Sequence, residues 1–354
     1  MEGTVPLQIL GETAYPSTVA SARVRVANYG AFLGHHGVEL SYRPALTDSE
    51  YGLLSSRASA ARKAVVLAAS ASRAAVHRSA HDLLLVHRLR LLSPLPGIDP
   101  PHRLDVYDID DALFLGCAAA ANRRFQWVKQ ESRRCIECLR RARLVIAGNS
   151  FLAEKAREYA RWVEVVPSCV DPVGQRLRNH GLNDVVTIGW IGSQTTSPYL
   201  QLVFPALGRL NEHRLQAKLV VIGADPKFRA SWIEHRPWSL ATQASDLASF
   251  DIGIMPLPET DWARGKCGYK LLQYFSAGVP AVASPVGVSS ELIGRDRGFL
   301  AASPKDWHSA LERLIADPAE RRERGAAARE FVEREYSYQR WAPELAALLH
   351  SVAG

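Results

Sequence analysis

The sequence predicts an α/β protein with two doubly wound domains, each a parallel sheet covered by helices. Short β-branched runs alternate with longer stretches of helical period, and this alternation stops once in a polar segment and then restarts. The chain has 354 residues, which usually exceeds a single hydrophobic core, and 47% of them are apolar. No period of 20–50 residues recurs, which excludes a solenoid.

In the first half, β-branched runs predict six strands, with four helical stretches between them. The predicted strands are Leu7–Leu10, Glu39–Tyr42, Leu83–His87, Leu104–Tyr107, Leu144–Ala147 and Val163–Val166. The predicted helices are Ser21–His35, Tyr51–Arg78, Ala118–Arg143 and Ser150–Arg161. Helices of this length suit crossover connections between parallel strands.

The polar segment Pro167–Asn183, which carries Pro172 and Gly174, is typical of a linker. Beyond it we predict strands at Val185–Ile191, Lys218–Ile222, Asp251–Met255 and Ala281–Ser284. The helices expected there are Tyr199–Glu212, Gly268–Ala277, Pro304–Ala316 and Ala319–Glu335. We therefore expect a first domain over residues 1–170, a second over 171–335, and a helical tail over 336–354 with Pro343 near a kink.

The net charge and the cysteine content limit which binding partners and which cellular compartment the chain can have. A net charge of +7 is compatible with nucleic acid, anionic lipid or a phosphate-bearing substrate, but scattered arginines are more often ion-paired or solubilising. Because no zinc-finger spacing or RNA-recognition signature occurs, we expect no nucleic-acid partner. Five scattered cysteines and no signal peptide indicate the cytoplasm, and the lone Cys135-x-x-Cys138 pair lacks a second pair for zinc.

A first candidate site follows the strand Val185–Ile191, because ligands of open parallel sheets bind beyond the carboxyl ends of strands. Gly192 would let a ligand approach the backbone, while Ser193 and Thr195 offer hydroxyls that can cap the next helix and N–H groups for a diphosphate. An ordinary capped turn is the alternative interpretation. Neither a Gly-x-Gly-x-x-Gly fingerprint nor a P-loop occurs.

A second candidate site is a basic helix start. Arg264, Lys266 and Lys270 fall within seven positions, with Gly268 between the lysines. Cations beside helix-start N–H groups suit a leaving diphosphate, on which negative charge develops. Tyr269 lies at the same helix start, and Gln273 lies one turn inside the helix. A solvated basic helix start is the alternative.

In the first half, a predicted strand ends in Tyr107-Asp108-Ile109-Asp110-Asp111. An Asp-x-Asp pattern can hold a divalent cation, but we expect no metal because the basic helix start already supplies positive charge. A carboxylate can instead orient or deprotonate a substrate hydroxyl. Asp110 and Asp111 are therefore candidate catalytic residues, with a helix cap as the alternative for Asp108. Ser17, Arg23 and His87 are further candidate site residues, with an ion-paired helix face as the alternative for Arg23.

The order of several motifs resembles the family 4 retaining glycosyltransferases, which have the GT-B fold. The segments that carry the resemblance are Gly268–Val288, Asp246–Pro256, Ile188–Ser193, Leu144–Ala153, Val166–Asp171 and Arg329–Trp341. The resemblance implies a nucleotide-diphosphate sugar on the C-terminal domain, an acceptor on the N-terminal domain across a cleft, and a C-terminal helix that returns to the N-terminal domain. It also implies retention of anomeric configuration, with neither metal nor cofactor. For the first half of the chain, it implies that the acceptor side includes Ser17, Arg23, His87 and Asp108.

The chain departs from the family pattern at the donor site. Family members hold the donor with two Glu seven residues apart, which fall here near Gly265 and on Gln273. Many members also carry Arg and Lys after the first strand of the second domain, where this chain has Ser193–Ser197. We therefore expect Arg264, Lys266 and Lys270 to supply the positive charge, with Lys266 and Lys270 as catalytic groups.

The expected function is transfer of a sugar from a nucleotide-diphosphate sugar to the hydroxyl of a small-molecule or lipid-linked glycan acceptor. Natural-product and cell-envelope glycan synthesis are both open, as is peripheral membrane association. The Arg- and Ala-rich composition indicates a high-GC bacterial source. The alternatives are a non-catalytic nucleotide-sugar-binding protein and an epimerase or phosphorylase on the same fold.

Overall fold

The computed structural model describes residues 5–75, 81–91, 103–116, 130–181, 185–212, 217–225 and 227–354. The chain divides into two units. One comprises the residues up to Ser168 together with Tyr338–Gly354, and the other comprises Cys169–Ser337. Among the described residues, no helix is both long and apolar enough to cross a membrane.

The described part of the first unit contains a six-stranded parallel sheet in the order β2-β1-β3-β4-β5-β6. Its strands are β1 (Leu7–Thr13), β2 (Val38–Pro44), β3 (Leu83–His87), β4 (Val106–Ile109), β5 (Leu144–Ala147) and β6 (Val163–Val165). The predicted α/β class and the doubly wound order are confirmed. β4 starts two residues later than expected and takes in Asp108, which is buried and paired with Arg25.

The described helices before Ser168 differ in their bounds from those predicted. They are α1 (Ala20–Arg25), α2 (Gly30–Leu33), α3 (Asp48–Ser55), α4 (Ala60–Ala75), α5 (Glu131–Arg141) and α6 (Ser150–Ala156). The single helix expected over Tyr51–Arg78 is two helices, since Thr47 starts α3 with a capping box and Ser56 is extended at its end. Of the helix expected over Ala118–Arg143, residues 118–129 lie outside the described residues.

The described part of the second unit contains another six-stranded parallel sheet, in the order β12-β11-β10-β7-β8-β9. Its strands are β7 (Val186–Ile191), β8 (Ala217–Ile222), β9 (Ile233–Arg236), β10 (Ile252–Met255), β11 (Ala281–Ala283) and β12 (Gly298–Leu300). The helices are α7 (Phe204–Glu212), α8 (Gln243–Ala248), α9 (Asp261–Arg264), α10 (Tyr269–Ser276), α11 (Ser289–Ile293), α12 (Pro304–Ala316) and α13 (Pro318–Glu335).

Both faces of this second sheet are covered by apolar side chains. On one face, Leu271 and Phe275 of α10 and Val332 of α13 pack in one buried cluster with residues of β8, β10 and β11. On the other face, Leu207 of α7 and Trp307 of α12 pack in a second buried cluster with residues of β7 and β8. This arrangement of helices on both faces explains why the strands are near-continuous apolar runs.

The last helix, α14 (Tyr338–Ala353), belongs to the first unit. The Tyr338 ring lies 4.9 Å from the rings of both Tyr29 and Phe32, measured between centroids. Its hydroxyl donates to the carbonyl oxygen of Val24 at 3.0 Å. The chain therefore leaves the first unit after Ser168 and re-enters it at Tyr338.

Each sheet has one place where the order of strands reverses. In the first sheet, β2 lies on one side of β1 and β3 on the other, and in the second, β8 and β10 flank β7 in the same way. Adjacent crossovers then leave in opposite directions, which opens a crevice beyond the carboxyl ends of those strands. These two switch points are where ligand-binding side chains are expected.

Candidate functional site

At the switch point of the second sheet, β7 and β10 separate. They pair only through Ile188 with Ile252 and Gly189 with Gly253. Beyond these pairs the hydroxyl of Tyr274 lies between the strands, accepting from the Ile191 N–H and donating to the Ile254 carbonyl oxygen, both at 3.2 Å. Burial raises the pKa of this phenol, which keeps it a neutral donor.

Gly192, the first residue after β7, makes room for two side chains. A Cβ at this position would lie 2.6 Å from the Trp190 ring and 2.8 Å from Cε of Lys270. The Lys270 ammonium nitrogen lies 5.4 Å from the centroid of the Trp190 ring, within cation–π range. The absent side chain therefore lets a cation from α10 reach the end of β7.

The start of α10 depends on Gly268, the residue before the helix. Gly268 has a φ of +67°, and a Cβ there would meet Cδ1 of Leu292 at 2.2 Å. Only glycine suits both constraints. The first turn of α10 carries no acidic residue, and Lys270 is the second residue of the helix. Its positive charge therefore stands beside the positive end of the helix dipole.

The three predicted cations differ in their surroundings. The Lys266 ammonium lies 5.2 Å from the centroid of the Trp262 ring, so each lysine faces a tryptophan. Arg264 forms ion pairs with Glu259 at 2.7 Å and Asp261 at 3.4 Å, and its side chain is 47% exposed. Two acidic neighbours thus offset the charge of Arg264.

The other predicted donor residues lie at the same edge of the sheet or on α10. Gln273 is buried and follows Lys270 by three positions, hence on the same side of α10. Tyr269 is half-buried and packs on the core cluster. The Ser193 and Thr195 hydroxyls bond to each other at 2.7 Å. The expected cap is not formed, because Thr196, the residue before the 3-10 helix Ser197–Leu202, makes no side-chain cap bond.

On β4, the strand next to the switch point of the first sheet, Asp108 joins two elements. Its carboxylate accepts from Arg25 Nε at 3.1 Å and Nη2 at 2.5 Å, and contacts His87 Nδ1 at 2.6 Å. Arg25 also donates to the Val166 carbonyl at 2.8 Å. Although burial alone would raise the pKa of Asp108, the charge of Arg25 and the His87 contact lower it below the usual range. The alternative of a helix cap is wrong, because Asp108 lies within β4.

Arg88, directly after β3, binds the other two acids. Its guanidinium contacts Asp110 Oδ1 and Asp111 Oδ2, each at 2.5 Å. Arg88 has a φ of +58°, an unusual conformation for a non-glycine residue and one that often marks a functional site. Burial would raise the pKa of Asp110, but the charge of Arg88 outweighs it and holds that pKa well below the usual range.

The remaining acceptor-side candidates have structural partners. The side chain of His87 is 0% exposed and lies between two aspartates. Its Nδ1 is 2.6 Å from Asp108 Oδ1, and its Nε2 is 3.6 Å from Asp110 Oδ1. Arg23 is buried and donates to the carbonyl oxygens of Ser17 at 3.0 Å and Thr18 at 3.1 Å. Arg23 therefore holds the loop that contains Ser17.

Among the described residues, no group of three or more His, Cys, Asp or Glu is placed to hold a metal ion. Asp108 contacts the guanidinium of Arg25, and Asp110 and Asp111 contact that of Arg88. Sequence reasoning did not assign roles to Trp190, Trp262 or Tyr274. For Trp190, the available signal was a large aromatic two residues before a glycine at a strand end, since alternate strand residues share a face.

Residues 183–317 match a family model described as Glycosyl transferases group 1. No curated protein matches the sequence. Among solved structures, sucrose-phosphate synthase from Thermosynechococcus elongatus has a TM-score of 0.69 at 13% identity, covering 98% of this chain and 99% of that chain. HepE of Anabaena, in complex with UDP and glucose, has a TM-score of 0.66 at 13% identity, covering 98% of this chain and 100% of that chain.

A third similar structure is WaaG, a glycosyltransferase involved in lipopolysaccharide biosynthesis, with a TM-score of 0.63 at 14% identity, covering 97% of this chain and 99% of that chain. At such identities the likeness concerns the fold, while the family match concerns residues 183–317. The chain therefore has the GT-B fold, and residues 183–317 of its second unit match the model of group 1 glycosyltransferases.

Proposed function

We propose that the protein is a family 4 glycosyltransferase that moves a sugar from a nucleotide-diphosphate donor to an acceptor hydroxyl, with retention of anomeric configuration. The observation that carries the proposal is the position of Lys270. This ammonium lies at the start of α10 and at the end of β7, the switch point of the sheet in the group 1 domain. A diphosphate fits there because cations and helix-start N–H groups both stabilise negative charge.

The donor class is supported by the structures similar to this chain, since HepE was solved with UDP and with UDP-glucose. In the proposed reaction the bond between the anomeric carbon and the diphosphate breaks, and the acceptor oxygen forms the new bond to that carbon. The acceptor proton goes to the departing phosphate oxygen. Lys270 and Lys266 stabilise the negative charge on the leaving diphosphate, and no resident metal or cofactor is invoked.

On the first unit, Asp110 and Asp111 are proposed to orient the acceptor. Because its pKa is held well below the usual range by Arg88, the Asp110 carboxylate is a weak base at neutral pH. It therefore accepts a hydrogen bond from an acceptor hydroxyl better than it removes the proton. We further propose that the acceptor is a glycan and that the protein acts in the cytoplasm.

The test begins with binding. Thermal unfolding is followed with UDP, GDP, ADP and dTDP and their common sugars, because a ligand that binds only the folded state stabilises it by about 2.7 kcal/mol at 100 times its Kd. The best donor is then incubated with candidate acceptors, and the anomeric configuration of any product is read by NMR. A nucleotide sugar that binds and is never transferred would favour a non-catalytic binding protein. An inverted product would contradict retention.

A further inference from the structure

We infer that Trp190 is a positioning residue for the donor site, holding the Lys270 ammonium where it meets the donor diphosphate. This inference rests on the proposed function, because it takes Lys270 as the group that contacts the diphosphate. Trp190 itself is 1% exposed and is not placed to touch a substrate. It acts through the lysine.

The first support is the geometry of the slot at the end of β7. Alternate residues of an extended strand point to the same side of the sheet, so the side chain of Trp190 and the absent one of Gly192 share a side. The ring edge of Trp190 therefore reaches the space beside Gly192. That edge lies 2.6–2.7 Å from the missing Cβ, and Cε of Lys270 lies 2.8 Å from it. The ring and the lysine stem therefore converge on the space that Gly192 leaves open.

The second support is electrostatic. Lys270 occupies the first turn of α10, where the helix dipole disfavours a cation. The dipole of α10 therefore does not favour a lysine here, whereas an anionic ligand at the same end would be stabilised by both the dipole and the ammonium. The face of the indole offers negative potential to the ammonium at 5.4 Å and so offsets the unfavourable dipole before the ligand arrives.

The third support is preorganisation. A lysine side chain is flexible, and binding of an anion would otherwise have to order it. Because the stem is confined beside Gly192 and the ammonium lies over a buried ring, Lys270 is already directed to the carboxyl end of β7. Removing the ring should weaken diphosphate binding only as long as residue 270 is a lysine.

The experiment is a double-mutant cycle on nucleoside diphosphate affinity. Trp190→Leu and Trp190→Phe are each made in the wild type and in Lys270→Met, and Kd is measured by calorimetry for whichever of UDP, GDP, ADP and dTDP binds the wild type most tightly. We expect Trp190→Leu to weaken binding about fivefold or more beside Lys270 and less than twofold beside Met. Trp190→Phe keeps an aromatic face and should lose less, and it keeps the cycle measurable where the leucine variant does not fold.

Trp307→Leu is the matched control. Trp307 is a buried tryptophan of the same apolar cluster, on α12, so its removal tests loss of core packing. It should lower Tm and leave Kd unchanged. With the natural donor, loss of positioning should raise KM and lower kcat in Trp190→Leu, and neither parameter should change in Trp307→Leu.

The outcomes separate the two claims. If the wild type binds none of the four nucleotides, the proposed function fails and the inference falls with it. If the wild type binds and the Trp190 variants lose the same factor in both Lys270 backgrounds, or lose nothing beside Lys270, the positioning role is overturned while the proposed function stands.

Discussion

Arg25 and Asp108 form a bidentate ion pair inside the first unit, with side chains that are 1% and 3% exposed. The pair connects α1 to β4, and through the second bond of Arg25 it reaches the Val166 carbonyl just after β6. Two charges at this depth are stable only because each is the partner of the other. Their contribution should therefore appear when one partner is removed.

Arg25→Met should lower the free energy of unfolding by about 3–5 kcal/mol, because it leaves the Asp108 carboxylate buried without its main cation. Urea unfolding followed by circular dichroism gives the measurement. The double variant Arg25→Met with Asp108→Asn should recover part of the loss, since the uncompensated charge is then absent. A double variant less stable than Arg25→Met would contradict this account.

The same pair predicts loss of stability in acid. The pKa of Asp108 is lower in the folded chain than the value of about 3.9 in an unfolded one, so the unfolded state binds more protons as the pH falls. The contribution of Asp108 is complete above about pH 4–5 and decreases as the pH drops toward its folded pKa. Denaturation midpoints at pH 7, 5, 4 and 3 should show the decline, and Asp108→Asn should flatten it.

Asp225 is the control for that experiment. Arg229 also lowers the pKa of Asp225, but this pair lies on the surface, where solvent and salt screen it. Asp225→Asn should leave the acid profile close to that of the wild type. If both variants reduced the pH dependence of the denaturation midpoint equally, the burial of Asp108 would not explain its contribution to stability.

Tyr274→Phe should destabilise the second unit by about 1–3 kcal/mol. The substitution removes only the hydroxyl, and leaves the Ile191 N–H and the Ile254 carbonyl buried without that partner where β7 and β10 separate. Chemical denaturation measures the loss, and nucleoside diphosphate affinity shows whether the end of β7 has also shifted. A loss below about 0.5 kcal/mol would mean that neighbouring groups replace the hydroxyl.

Much of the fold could be predicted because the alternation of apolar runs reports burial on both faces of a sheet. The bounds of β3, β5 and α12 agree with the prediction to the residue. β9 and β12 were missed because Ile233-Glu-His-Arg236 is charged and half-exposed, and Gly298-Phe-Leu300 is too short for a pattern. β9 is defined by its pairing with β8, and β12 by its pairing with β11.

The candidate site was less predictable, because it depends on contacts between distant residues. Arg25 and Asp108 are 83 positions apart, and no local pattern links them. At Gly192 the structure adds that the space left by the absent side chain is bordered by Trp190 and by Lys270, which comes much later in the chain. Sequence reasoning identified residue types suited to a diphosphate, but only the tertiary structure shows that two acids already offset the charge of Arg264.

Cys267 provides a direct report on the occupancy of the proposed donor site. It lies between Lys266 and Gly268 and is half-buried, while Cys135, Cys138 and Cys169 are buried. Burial also raises the pKa of the Cys135 thiol to about 12, which makes it a poor nucleophile. In a Cys117→Ser variant, iodoacetamide should therefore label Cys267 first, as read by mass spectrometry.

A nucleoside diphosphate that binds beside Lys266 should slow this labelling, because it covers the loop around Cys267. The nucleoside without phosphates is the matched control and should protect weakly or not at all. Equal protection by both compounds would place the base, and not the diphosphate, against this loop.

The strongest functional effect is expected at Lys270. Lys270→Met should weaken nucleoside diphosphate binding about ten- to hundredfold, the equivalent of losing a charge-assisted hydrogen bond of about 1.5–3 kcal/mol. Calorimetry at fixed ionic strength gives the measurement. Lys305→Met, at an exposed lysine on α12, is the control and should bind as the wild type does.

Arg264→Met should have a smaller effect than Lys270→Met, although both remove one positive charge from the same segment. Glu259 and Asp261 already offset the charge of Arg264, and an anion would have to compete with both acids for the guanidinium. Calorimetry on Arg264→Met beside Lys270→Met ranks the two. An Arg264 variant that binds as poorly as the Lys270 variant would show that the arginine leaves its acids when the nucleotide binds.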